Sequence, residues 1–250
     1  MRISSIRMAG ALVAGAACGS ANAAIIAAWD FQTTTNGGTA VVQSSSSNGA
    51  LSPNRYVANF GTGTLYLDGT NGSSSFTQTN SAYEITAFSG TATNADTSIG
   101  MSTAADPFSA LAIRKGSLTT AGANGKGMVF KFSMSGLESF SISYVTARPN
   151  TNGFTSQVLE YSTDGSTWSS LGTHSPSVGN FPASTVTSFS TAGLDGAATS
   201  YVRLKVSGAT ATAGDVRFDN FILSATAVPA PGALALLGVA GLAGGRRRRA

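Results

Sequence analysis

Met128-Val129-Phe130-Lys131-Phe132-Ser133-Met134, followed a few residues later by Phe140-Ser141-Ile142-Ser143-Tyr144, is the stretch that decides the fold. Large apolar side chains take every second position, with Lys or Ser at most of the positions between. A strand sends successive side chains to opposite faces, so this period of two describes a strand with one buried face and one hydroxyl-lined face. The same alternation recurs in Ile25 to Phe31, Val158 to Ser162, Tyr201 to Val206 and Val216 to Leu223, and helical periodicity is nowhere sustained. Between residues 32 and 127 the apolar runs are shorter, separated by turn-rich stretches such as Asn36-Gly37-Gly38, Ser44 to Ser47 and Asn71-Gly72, and the pattern does not fix a strand order there. No repeat period of a solenoid or propeller is visible. The body, residues 24–227, therefore reads as one all-β domain, an antiparallel, jelly-roll-like β-sandwich.

Composition narrows the chemistry. Only 10% of the 250 residues are charged, against about 25% in an average soluble protein. The single Cys, Cys18, excludes a disulfide framework and a multi-Cys zinc site, and the single His, His174, excludes multi-His metal sites. The net charge of +4 belongs to the ends: Arg2 and Arg7 lie near the start and Arg246, Arg247, Arg248 and Arg249 near the finish. Between them 11 acids outnumber nine bases, and the longest basic run is Arg114-Lys115. A nucleic-acid surface needs clustered Lys and Arg to displace counterions from phosphate, so no nucleic-acid partner is expected.

Residues 1–23 have the form of a cleaved signal peptide. A short basic segment, Met1 to Arg7, precedes the apolar run Met8 to Cys18, and Ala21-Asn22-Ala23 supplies the small-x-small pattern that signal peptidase accepts. The run is too short to span a bilayer comfortably. Gly15-Ala16-Ala17-Cys18 loosely resembles a lipoprotein box, but Gly stands where Leu is usual, and cleavage after Ala23 is the better reading. That cleavage would leave a mature chain without Cys, which suits an oxidising compartment.

Residues 228–250 carry the most specific pattern. Val228-Pro229-Ala230-Pro231 is followed by 14 apolar residues, Gly232 to Gly245, and then the four arginines. The prolines stop any preceding element, because each fixes φ and lacks a backbone donor. As a helix the apolar run would cover about 21 Å, short of the roughly 30 Å hydrocarbon core unless flanking residues and snorkelling arginines extend it. An uninterrupted apolar run beside an Arg cluster fits a membrane tail better than a buried soluble helix, and the arginines should stay on the cytoplasmic side. This arrangement resembles the PEP-CTERM sorting signal of Gram-negative bacteria, with Ala230 in place of the usual Glu. The resemblance implies transient residence in the inner membrane through a transmembrane sorting helix. It further implies recognition near Pro229, Ala230 and Pro231 by an exosortase, and delivery to the cell surface or an exopolysaccharide matrix, as in biofilms. Those residues would be substrate for another enzyme, not catalysts.

Motifs within the body are few. Tyr161-Ser162-Thr163-Asp164-Gly165-Ser166-Thr167-Trp168 predicts a hairpin, with Gly165 at positive φ and Thr163 and Thr167 paired across the strands. It resembles the Asp-box hairpin of sialidase-like propellers but is one residue short and occurs once. Asp215, Arg217 and Asp219 alternate along one strand and predict a solvated ion-pair stripe, with Phe218 and Ile222 facing inward and Asn220 interrupting the inward row. A sharper expectation is a structural Ca²⁺ joining the first and last strands through Asp30, Asp219 and backbone carbonyls, since Ca²⁺ takes six to eight oxygens. Sugar binding would need exposed aromatic platforms, for which Tyr66 and Trp168 are the main candidates, with Tyr56 and Tyr83 beside them.

Support for catalysis is thin. Thr120 to Gly127 lacks the first Gly and the final Ser/Thr of a phosphate loop, and no Gly-x-Ser-x-Gly elbow accompanies His174, which is expected in a loop. The leading expectation is a non-enzymatic structural or adhesive protein of the cell surface or matrix. The alternatives are a carbohydrate-binding module for polysaccharide and, behind it, a secreted glycan hydrolase with two opposed carboxylates.

Overall fold

The computed structural model describes residues 23–31, 55–68, 83–86, 90–103, 110–114, 116, 122–181 and 186–228. Ala21, the tail motif Pro229, Ala230 and Pro231, and the cluster Arg246 to Arg249 lie outside them, as does almost all of the expected signal peptide. No helix among the described residues is long and apolar enough to cross a membrane.

In the first part of the chain the strands are β1 (Ala24–Trp29), β2 (Arg55–Val57), β3 (Phe60–Gly61), β4 (Thr64–Asp68), β5 (Tyr83–Thr86) and β6 (Ala110–Ile113). The longer ones follow: β7 (Gly127–Phe132), β8 (Leu137–Ala147), β9 (Ser156–Ser162), β10 (Ser169–His174), β11 (Val186–Thr191), β12 (Ser200–Ser207) and β13 (Val216–Ala227). They form two antiparallel sheets. The first runs β11-β8-β13-β1-β3, with β6 also on β13 and β5 on β6; the second runs β10-β9-β12-β7-β4-β2. The only described helix is a 3-10 turn at Thr97–Ile99.

Alternation explains which faces meet. Met128, Phe130 and Phe132 of β7 and Val202, Leu204 and Val206 of β12 point from the second sheet into the same core as Trp29, Phe140, Ile142, Tyr144, Phe218 and Phe221 of the first. Contacts between sheets are largely aromatic. Trp29 meets Phe130 edge-on at 5.3 Å, Phe221 lies 4.9 Å from Phe130, and Phe132 stacks on Phe140 at 5.0 Å. A buried polar chain also links the sheets: the Tyr144 hydroxyl donates to Gln157 Oε1 at 2.9 Å, and Gln157 Nε2 donates to Thr146 Oγ1 at 2.6 Å. Burial pushes the Tyr144 hydroxyl far above the usual phenol range, so it remains a donor.

β13 departs from simple alternation. Asn220 adopts φ +49, and pairing with β8 advances three residues from Asp219 to Ile222 against two from Val145 to Ser143. This is a β-bulge, and Asn tolerates its left-handed backbone better than most residues. The extra residue brings Phe221 inward after Phe218 and leaves Asp219 and Asn220 together on the outer face. Ile222, expected inward, is half-buried and points outward. Asp219, expected on a solvated stripe with Asp215 and Arg217, is fully buried. Arg217 does approach Asp215, Nη2 to Oδ2 at 3.5 Å, but both side chains are mostly covered. Burial raises the Asp215 carboxyl against the opposing pull of Arg217 and Arg114. His174 is also corrected: it ends β10, opposite Gln157, rather than lying in a loop.

The bulge coincides with a change of neighbour. Val216 to Phe218 pair with β6, whereas Phe221 to Ala225 pair with β1. Phe221→Ala would remove contacts to Phe31, Phe130, Tyr144 and Phe218 at once. Chemical denaturation should show a loss of about 3–5 kcal/mol, the range for emptying a buried Phe site.

Candidate functional site

The outer face of the second sheet is built by register. Tyr66 on β4 stands opposite Val129 on β7, Val129 opposite Arg203 on β12, and Arg203 opposite Glu160 on β9. The neighbouring row is Thr64, Lys131, Tyr201 and Ser162. Phe130, Val202 and Leu159 fill the core between these rows; of the side chains named here Lys131 is exposed, Thr64, Tyr66, Glu160, Tyr201 and Arg203 are half-buried, and Val129 and Ser162 are buried.

At one end of this face is an open pocket of about 490 Å³, lined by Thr62, Thr64, Tyr66, Lys131, Ser133 and Thr199 among others. The turn joining β3 and β4 forms its wall. Gly61 has φ +72, and a Cβ there would collide with the Ile26 carbonyl, so only Gly lets this turn lie against β1. Lys131 is exposed, with Nζ 5.7 Å from the Tyr201 ring centroid. An aromatic ring, an ammonium and several hydroxyls are thus presented together on a rigid sheet. That combination offers a stacking surface for an apolar sugar face and hydrogen-bonding partners for its hydroxyls.

Trp168 is placed differently. The Arg203 guanidinium carbon lies 4.1 Å from its ring centroid, so one aromatic face is already occupied. Arg203 Nε also donates to Glu160 Oε2 at 2.6 Å, while Lys205 Nζ lies 2.8 Å from the same oxygen. Trp168 therefore covers an ion-pair cluster, and Tyr66 is among the residues lining the pocket. Tyr56 and Tyr83 lie on β2 and β5, and their side chains fall outside the described residues.

The hairpin between β9 and β10 is confirmed with a longer loop than expected. Tyr161 pairs with Ser169, so Thr163 and Thr167 lie in the loop rather than pairing across strands. Asp164 Oδ1 accepts from the backbone N–H groups of Ser166 and Thr167, each at 2.7 Å, and from the Ser162 hydroxyl at 2.8 Å. Those bonds hold the Asp164 carboxyl far below the usual range, Thr167 contributing most, and Gly165 has φ +73. The Asp is structural here, satisfying turn donors. A second pocket of about 410 Å³ beside the loop is lined by Tyr161, Asp164, Thr167 and Ser169 among others.

A different cluster forms where β13 changes neighbour. Asp30, just beyond β1, and Asp219 are both fully buried. Asp219 Oδ2 accepts from Thr91 N at 2.7 Å and its Oδ1 from Asn220 N at 2.8 Å. Asp30 Oδ2 accepts from Ser102 N at 3.0 Å. Burial drives the Asp219 carboxyl well above the usual range; its two backbone bonds oppose this, and the nearby Asp30 charge adds to it. Asn220, expected only to interrupt the inward row, joins this cluster: its N–H donates to Asp219 and its side-chain amide to the carbonyls of Thr91 and Thr93. Among the described residues no three His, Cys, Asp or Glu side chains converge as a metal-ligand group, so any cation held here would draw on amide and backbone oxygens as well.

No family model matches the chain, and no curated protein does. Among solved structures it is similar to the CBM22-1–GH10 modules of an endo-1,4-β-D-xylanase from Clostridium thermocellum complexed with xylohexaose. The TM-score is 0.34 at 14% identity, covering 48% of this chain and 22% of that one. It is also similar to the K3 cleaved adhesin domain of Lys-gingipain from Porphyromonas gingivalis, with TM-score 0.33, 11% identity and coverage of 50% and 77%. A xylan-binding module, CBM15, gives TM-score 0.32 at 14% identity, with coverage of 46% and 76%.

The Arg203–Glu160–Lys205 cluster generates a pH prediction. Partial burial opposes ionisation of Glu160, but hydrogen bonds and charge from Arg203 and Lys205 outweigh it and hold the carboxyl below the usual carboxylate range. A depressed folded pKa adds stability above the unfolded value, and that stability is lost as pH falls through the folded one. Glu160→Gln should flatten the acid limb of a stability-versus-pH curve below about pH 4.5, read by urea denaturation.

Proposed function

We propose that this chain is an exported, non-enzymatic protein that adheres to polysaccharide through the outer face of its second sheet. In this reading it is a jelly-roll-like β-sandwich at the cell surface or in an extracellular matrix. The observation that carries the binding role is the pocket of about 490 Å³ where Tyr66 and Lys131 stand among Thr and Ser hydroxyls. A sugar ring would stack on Tyr66, and the hydroxyls with Lys131 would satisfy its polar edge.

Polysaccharide pull-down tests this role. Wild-type protein should be retained by a matrix polysaccharide, and Tyr66→Ala should weaken retention by about tenfold, equivalent to about 1.4 kcal/mol of lost contact. Trp168→Ala should act less, since that ring serves Arg203 first. Equal retention of wild type and Tyr66→Ala would leave a purely structural role as the better account.

Delivery rests on the two ends of the chain. Signal peptidase would cut after Ala23, and residues 228–250, resembling a PEP-CTERM signal, would hold an inner-membrane intermediate until an exosortase acts near Pro229 to Pro231. Intact mass of protein recovered from the cell surface should show a species beginning at Ala24 and ending near Pro231. A surface species that retains Arg249 would contradict sorting by cleavage.

A further inference from the structure

The pocket on the second sheet holds a charge that nothing else in its described lining answers. That lining includes the Lys131 ammonium and the hydroxyls of Thr62, Thr64, Ser133 and Thr199, and among the described residues no carboxylate. Lys131 stands between Thr64 of β4 and Tyr201 of β12 in one row of the sheet. It is exposed, and its Nζ lies 5.7 Å from the Tyr201 ring centroid. An aromatic face attracts an ammonium through its quadrupole, yet it supplies no counter-charge.

The acids of the neighbouring strands are engaged elsewhere. Glu160 Oε2 accepts from Arg203 Nε at 2.6 Å and lies 2.8 Å from Lys205 Nζ, so two other cations hold that carboxylate. Asp164, on the loop beyond Ser162, accepts from the Ser166 and Thr167 N–H groups of its own turn. No described carboxylate pairs with Lys131. An ammonium only donates, and the Thr and Ser hydroxyls around it both donate and accept. The pocket therefore presents donors backed by one net positive charge, an arrangement that favours an anionic group over a neutral one.

We infer that this pocket selects polysaccharide whose sugar rings carry carboxylates, with Lys131 pairing to the carboxylate while the Thr and Ser hydroxyls take the ring's alcohol groups. The inference rests on the polysaccharide-binding reading above and adds the charge of the ligand. A neutral polymer can use the same hydroxyls, so Lys131 carries the discrimination. A hydrogen bond between ammonium and carboxylate is roughly twice as strong as one between neutral groups. Lysine is a compact point charge on a flexible stem, without the planar fork of arginine, and so accepts carboxylates arriving in varied orientations along a polymer. Exposure keeps the gain per contact modest and makes it sensitive to salt.

The test sets the full chain against beads of alginate and beads of the same polymer after its carboxyls are reduced to alcohols. Alginate should retain wild type about fivefold better, the upper end of what one exposed ion pair supplies, and the margin should shrink as NaCl rises to about 0.5 M. Lys131→Gln should lower that preference by about the same factor, and Lys131→Arg, which keeps the charge, should preserve it. Lys131 is exposed, so neither substitution disturbs the core. Arg246 to Arg249 are common to all three proteins, so a change between them belongs to position 131. Equal retention of the two polymers by wild type, or an undiminished preference in Lys131→Gln, would overturn the inference and leave polysaccharide binding standing. Retention of neither polymer would count against the polysaccharide reading itself, and the inference would fall with it.

Discussion

Phe221 can reach the core only because Asn220 steps out of the alternation of β13. Without that extra residue, the strand that follows Phe218 would turn Ile222 inward and Phe221 out. With it, Phe221 becomes the centre of an aromatic group drawn from both sheets, within 5.1 Å of Tyr144 and 4.9 Å of Phe130. The same irregularity lets a single strand serve two partners on one side, β6 before the bulge and β1 after it, while β8 follows the other side. Packing and topology in the first sheet thus share one backbone device.

What the bulge gives the core, it takes from the outer face. Asp219 and Asn220 would be ordinary solvated residues on an open sheet, yet residues 90–103 form a strap that encloses them, its Thr91 and Ser102 amides donating to Asp219 and Asp30, so their polar atoms must be satisfied locally. The second sheet has a plainer logic. Its outer rows keep strict register, and its charges are paired on the surface around Glu160 or left exposed at Lys131. One sheet therefore carries a sealed polar cluster and the other an open one, and only the open one offers a large ligand direct access.

The regular strands were legible because period-two alternation is a local signal. Runs in β1, β7, β8, β9, β12 and β13 were each recognisable from a few residues, and the Asp164-Gly165 hairpin from its turn chemistry. The bulge was not. An Asn amid Phe218, Phe221 and Ile222 is compatible with either register, and which aromatic faces inward is decided by contacts with another sheet. The strap lacks any periodic pattern, and its carboxylate partners lie more than seventy residues away along the chain for Ser102 and further for Thr91. Tyr66 was identified as an aromatic candidate, but Lys131 joined it only once β4 and β7 were paired. The packing of Arg203 over the Trp168 ring is likewise a non-local fact.

The position of β13 also governs when the molecule can acquire its shape. The final described strand lies in the interior of its sheet, so the pairs β8–β11, β1–β3 and β5–β6 have nothing to join them until Val216 to Ala227 arrives. Contacts this distant in sequence form slowly and late. On the proposed route out of the cell, a partly threaded polypeptide would lack its keystone and stay pliable enough for a narrow translocation channel. Closure would follow once the last strand had passed through, on the side of the membrane where the finished domain is needed.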